Sequence, residues 1–349
     1  KLLRAAPIEL LDEIGLQRDM ELIEALDDHT TEVWRRFHAA VAADAAMLQD
    51  FEALSAQRGR STVRLWLQTA LERRVEIELA DRAGVLEDSV PEAAQVWPEL
   101  KPGAHPALAF NSPAWQIRLR DLATELGRGA VQARGAADAL AAALESCADG
   151  DLFNAVWAAL FTLSGTPRKR LGNSTLLANV HDLLERSAAQ IRQHEAREEH
   201  LMMVRLSRVL NREYASYKRA QGLADMSDLE SCALALLRDS SLSGWVQERL
   251  DARYRHVLID EFQDTSPLQW HALHAWLSAY VGAGGGASGQ RPPSVFIVGD
   301  PKQSIYRFRR AEPRVFEAAR HFVQTALDGA VLECDHTRRN APQILGALN

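Results

Sequence analysis

Two acidic side chains, Asp260 and Glu261, follow directly on the apolar run Val257-Leu258-Ile259. A second apolar run, Val295 to Val298, ends at Gly299-Asp300, with Gln303 close behind. A carboxylate at the tip of a buried strand can hold Mg2+ directly or through water, and a second one beside it can orient and deprotonate a water that attacks a terminal phosphate. Asp260 is read as the metal holder and Glu261 as the base. Asp-Glu pairs are common in solvated turns, so the pair gains its weight from the apolar run before it and from Gln263-Asp264-Thr265 after it.

A different chemistry is written into the next stretch, where Tyr306 and Phe308 alternate with Arg307 and Arg309. In an extended chain both rings would share one side. Aromatic faces stack on any base and so bind single strands without reading sequence. From Pro301 to Arg320 there are six basic and two acidic residues, a local positive excess suited to tracking a nucleic-acid backbone. The alternative, that the rings fill a core, stays open; Phe308, flanked by arginines, is the better base platform, and Arg309 completes the expected DNA contact.

These residues need a frame. Val257 to Ile259 and Val295 to Val298 read as parallel strands buried on both faces. Between them Ser266 and Pro267 open a helix carrying Leu268, His271, Trp276, Leu277 and Tyr280, followed by a loop from Val281 to Pro293. In such strand-helix-strand units the ligand site lies just beyond the carboxyl ends of the strands, where Asp260, Glu261, Asp300 and Gln303 fall. The first two hundred or so residues predict helix after helix, broken at prolines and glycines such as Pro91, Pro98, Pro106, Pro113, Gly165 and Gly172, with no strand of convincing length. Leu206, Leu210, Tyr214 and Tyr217 form one helical stripe that should pack on the next domain, and Gly222 ends that helix. Ser227 with Glu230 predicts a capping box for the helix that follows, with Leu229, Ala233, Leu236 and Leu237 on one face.

Composition narrows the classes. A chain of 349 residues, 47% hydrophobic and 25% charged, can bury one or two cores. Its formal net charge of -7 excludes a protein that is basic all over, so any DNA contact must be local. Arg58, Arg60 and Arg64, and again Arg168, Lys169 and Arg170, form basic groups that could meet phosphates, although a solvated face is the plainer reading of each. Three cysteines, Cys147, Cys232 and Cys334, are too far apart for a zinc site and fit reduced thiols of a cytoplasmic protein. No run of about 18 apolar residues suggests a membrane span, and no membrane partner is expected.

The string Leu258 to Thr265 resembles motif II, the Walker B element, of UvrD/Rep-type superfamily 1 DNA helicases. Val298 to Ala311 resembles motif III of the same family, and Pro301-Lys302 and Arg307-Phe308 are similar to the AddA and RecB branch. Arg310 departs from it by standing where a glycine is usual. Ala224 to Leu229 resembles the stretch that leads into motif II, with Met226 replacing a phenylalanine. Aligning Ile344 and Asn349 with motif IV puts Arg339 on the family's phosphate-contacting arginine. The resemblance implies that Gln303 sits near the terminal phosphate and couples nucleotide to DNA, and that the rings of Tyr306 and Phe308 line the single-strand path.

The implied fold is α/β, a partial RecA-like parallel-sheet motor domain with a large all-helical insertion. Residues 1–205 would be the insertion, 206–331 the carboxyl-terminal part of the first motor domain, and 332–349 the start of the second. A glycine-rich loop ending in Lys-Ser/Thr is not found in the sequence, so the chain is expected to be a segment of the motor and inactive alone. The implied function is an ATP- and Mg2+-dependent 3'-to-5' DNA helicase acting on single-stranded and duplex DNA, with a nuclease partner if it serves a helicase-nuclease. A solitary repair helicase and a catalytically inactive motor-like scaffold remain the alternatives.

Overall fold

A computed structural model describes residues 20–23, 29–146, 151–238, 250, 254–281, 293–303 and 312–333. Among them helix dominates, and two small parallel sheets provide the strands. The chain divides into two compact units, one of Arg36–Glu72 and Ile77–Asn211, the other of Lys1–Arg35, Arg73–Glu76 and Arg212–Asn349.

The first of these is helical. It draws on helices α1 (Thr30–Ala43), α2 (Ala45–Arg58), α3 (Arg60–Glu72), α4 (Arg74–Arg82), α5 (Ala93–Val96), α6 (Pro113–Leu126), α7 (Val131–Ser146), α8 (Leu152–Leu160) and α9 (Thr175–Gln221). The expected breaks at Pro106 and Pro113 become first-turn positions, where a missing N–H costs nothing. Its main core gathers Phe110, Leu119, Leu122, Leu140, Val156 and Leu184, all fully buried. The alanine-rich segment forms α7 and puts Ala133, Ala136, Ala137 and Ala143 into that core, small side chains that let helices approach closely.

Helix α9, 47 residues long, spans about 70 Å at 1.5 Å per residue. Within the helical unit its arginines are anchored by acids far away in sequence: Arg205 donates to Asp50 at 2.7 and 2.9 Å, and Arg208 to Asp81 and Glu87. Arg58, one of the basic residues that could meet phosphate, is instead paired with Glu199 at 2.6 Å. Arg168 similarly gives its guanidinium to the Ala158 carbonyl. The stripe Leu206, Leu210, Tyr214 and Tyr217 is buried as the periodicity predicts. Gly222, at φ 64, ends α9 in the left-handed region that glycine adopts without strain.

In the other unit, strand β1 (Glu21–Ile23) pairs in parallel with β2 (Leu223–Asp225), Glu21 opposite Leu223. The sequence shows no strand of convincing length among the first two hundred residues, and β1, three residues long, is too short to carry a readable alternation. Helix α10 (Met226–Arg238) follows at once. Its cap differs from the expectation. The reciprocal bonds run from Asp225 N–H to Asp228 Oδ2 (2.9 Å) and from Asp228 N–H to Asp225 Oδ1 (3.1 Å), so the box is Asp225/Asp228 and not Ser227/Glu230. The helix starts earlier because β2 delivers Asp225 to its mouth. Cys232, Leu234 and Leu236 are its buried apolar residues, whereas Leu229, Ala233 and Leu237 are half-buried.

Strands β3 (His256–Ile259) and β4 (Ser294–Ile297) pair in parallel, with His256 opposite Ser294 and Ile259 opposite Ile297. Helix α11 (Pro267–Ser278) lies between them in sequence and α12 (Pro313–Ala326) follows them. Phe262, Trp270, Leu277, Val315, Ala319 and Phe322 form the core beneath, onto which Val257, Ile259, Val295 and Ile297 pack. The opposite face of the pair is open: Leu258 is 74% and Phe296 53% exposed. Burial on both faces, expected from the continuous apolar runs, is therefore corrected to burial on one. Among the described residues helices cover only one side of this sheet.

Candidate nucleotide-hydrolysis site

Parallel pairing brings the carboxyl ends of β3 and β4 to the same edge. The ladder continues past them, with Val298 N–H donating to Ile259 O (2.8 Å) and Phe262 N–H to Val298 O (2.9 Å). Asp260 and Glu261 leave one strand end and Gly299-Asp300 the other.

Glu261 adopts φ 52 and ψ 40, a left-handed conformation that costs a non-glycine residue roughly 1 kcal/mol or more. Such strain persists only where the surroundings impose it. Here Asp260 Oδ1 accepts the Glu261 N–H at 2.9 Å, and Asp264 N–H donates back to Glu261 O at 3.0 Å, closing a 3-10 turn over Phe262–Asp264. Phe262, 1% exposed, plugs that turn into the core against Trp270 and Phe316. The apolar plug and the acidic rim are two consequences of one short turn. Both Asp260 and Glu261 remain exposed to solvent.

Gln263 is 3% exposed and ties the two strand ends together. Its Nε2 donates to Glu261 Oε2 at 2.5 Å, and its Oε1 accepts the Asp300 N–H at 3.0 Å. Gly299 permits this approach: a Cβ there would stand 2.6 Å from Gln263 Oε1 and 2.9 Å from Phe316 Cε2. Asp300 in turn accepts from the Lys302 N–H (3.0 Å) and from Gln303 Nε2 (2.9 Å). The Gln303 bond, with the Lys302 N–H, holds the Asp300 carboxyl below the usual carboxylate range.

Four residues that the sequence singles out, Asp260, Glu261, Asp300 and Gln303, thus share one rim. Tyr306, Phe308, Arg309 and Arg339 lie outside the described residues. In the sequence Gln263 and Gly299 stand only as parts of a motif string. Their contacts join segments 37 residues apart, which local spacing does not reveal.

The profile of the UvrD/REP helicase N-terminal domain matches residues 36–324. The chain belongs to this family. Among curated relatives, an ATP-dependent helicase/nuclease subunit of Exiguobacterium sibiricum is 36% identical over 149 residues, covering 42% of this chain and 12% of that protein. The protein of the same name from Carboxydothermus hydrogenoformans is 40% identical over 114 residues, 33% of this chain and 8% of its own length. That of Natranaerobius thermophilus is 31% identical over 183 residues, 51% of this chain and 13% of its own. The matched stretches are therefore only about a tenth of these relatives.

The donor set suits a hard divalent cation. Mg2+ takes anionic oxygen ligands and is usually held by one or two carboxylates together with substrate phosphates. The turn presents Asp260 beside Glu261, while Asp264 Oδ1 is buried there without a hydrogen-bond partner. Among the described residues no group of three or more His, Cys, Asp and Glu side chains is arranged to hold a metal ion. No described helix is long and apolar enough to cross a membrane.

Proposed function

We propose that this chain supplies the magnesium-holding and water-activating part of an ATP-dependent DNA helicase motor of 3'-to-5' polarity, working within a cytoplasmic helicase-nuclease. Family membership and the relatives' names support the class, and the carrying observation is Glu261, locked in a strained turn at a strand tip with its carboxylate tethered by Gln263. A RecA-like motor fold is the reading, with residues 206–331 as motor and 332–349 opening a second motor domain; because β1–β2 pairing joins residues 21–23 to the motor segment, the helical insertion expected over 1–205 is read as beginning after β1.

In this reading Asp260 holds Mg2+, whose charge would offset the negative charge on phosphate oxygens. Glu261 Oε2 is engaged by Gln263, which leaves Oε1 to take the proton of the attacking water. Tethering matters because a base displaced by about 1 Å loses on the order of a hundredfold in rate. Gln303 is held on Asp300 at the rim, and in this reading it would respond to the terminal phosphate, with Arg339 assisting from the following segment. Tyr306, Phe308 and Arg309 would receive single-stranded DNA, and a nuclease would be the protein partner.

The test is Glu261→Gln in the full-length gene product. ATP binding should stay within about threefold of wild type while DNA-stimulated hydrolysis falls by about a hundredfold or more, the scale of a lost general base. Turnover near wild type would remove Glu261 from the role of base.

A further inference from the structure

Resting on that reading, we infer that Gln263 is a positioning residue that couples the water-activating carboxylate to the Asp300–Gln303 turn. A buried amide can satisfy both its ends only with fixed partners, and here the donor end meets Glu261 Oε2 and the acceptor end meets the backbone N–H of Asp300. The same side chain therefore senses both strand ends. Glu261 is exposed and its strained backbone is pinned by Asp260 and Asp264, so Gln263 is the contact that selects one carboxylate orientation.

The coupling follows from the geometry. Asp300 carries its amide toward Gln263 and its carboxylate toward Gln303 and Lys302. A shift of the turn Pro301–Gln303 that moves Asp300 draws on Gln263 Oε1, and through the planar amide on Glu261. Gly299 leaves little slack, since a side chain there would force Gln263 or Phe316 to shift. A change at Gln303 would then reach the base through three hydrogen bonds, by way of Asp300 and the Gln263 side chain.

The experiment compares Gln263→Glu, Gln263→Met and Glu261→Gln in the full-length gene product, following ATP turnover with and without single-stranded DNA and checking folding by thermal melting. Gln263→Glu keeps the acceptor for Asp300 but loses the donor to Glu261, so kcat should fall at least tenfold while the KM for ATP moves less than twofold. Gln263→Met loses both ends and should also blunt the stimulation of turnover by DNA. Adding Glu261→Gln to Gln263→Glu exchanges donor and acceptor; the melting temperature should recover toward wild type while turnover stays lost. Wild-type kcat in a folded Gln263→Glu protein, or a loss confined to KM, would overturn the inference while leaving Glu261 as base. Wild-type turnover in Glu261→Gln would instead overturn the base assignment, and this inference with it.

Discussion

Lys218, on the last turn of the long helix, meets Asp225 across the Gly222 reversal, Nζ to Oδ2 at 2.9 Å, with the lysine side chain only 5% exposed. Asp225 also accepts from the Tyr214 hydroxyl at 2.8 Å and pairs with Arg74, while Lys218 pairs further with Asp228. One carboxylate thus secures a helix end, a strand and the start of the next helix. Removing one member of such a buried set strands the rest, which is why it is more costly to break than to replace whole.

That set makes stability acid-sensitive. Burial pushes the Asp225 carboxyl up, but the charges of Arg74 and Lys218, with hydrogen bonds from Lys218 and Tyr214, outweigh it and hold it at about 2 against an ordinary 3.8. The unfolded chain then binds this proton first. The contribution, about 2 kcal/mol, is fully present above about pH 4 and is lost as the pH falls toward 2. Urea unfolding of wild type and Asp225→Asn at pH 7 and pH 3 should show the gap between them narrowing on acidification; a constant gap would refute the assignment.

Gly299→Ala places a methyl group 2.6 Å from Gln263 Oε1 and 2.9 Å from Phe316. Overpacking of this kind typically costs about 1 to 3 kcal/mol. A lowered denaturation midpoint, with turnover falling alongside, is expected, and an unchanged midpoint would show that the turn yields freely.

Cys232 is buried on α10, and burial pushes its thiol up to about 12. The thiolate is the reactive form. Peptide mapping after alkylation at pH 8 should find Cys232 unmodified in the native protein and modified in denaturant. Labelling under native conditions would mean that α10 opens readily.

Phe308→Ala should weaken single-strand binding by about 1 to 3 kcal/mol, and lower DNA-stimulated turnover, while basal turnover and melting temperature change little. Fluorescence anisotropy with labelled oligonucleotides measures this. Unchanged affinity, or loss only through unfolding, would make Phe308 a core residue.

What the chain announces locally was legible from residues alone. Apolar runs ending in Asp260-Glu261 and Gly299-Asp300 became parallel strands with both acids at one edge, because strand formation and strand-end position follow from short patterns. Ser266 and Pro267 opened α11 and Gly222 closed α9, since helix starts and left-handed turns depend on a few adjacent residues. Tertiary structure decided what depends on distant neighbours. It moved the cap of α10 from Ser227 to Asp225, because β1 fixes where β2 ends and three paired residues carry no periodic signal. It opened one face of the β3–β4 pair, since identical apolar runs serve a sheet covered on one side or on both. It also turned Gln263 from a letter in a motif into the link between two strand ends, because the register of β3 on β4 alone determines that its amide meets Asp300, 37 residues away.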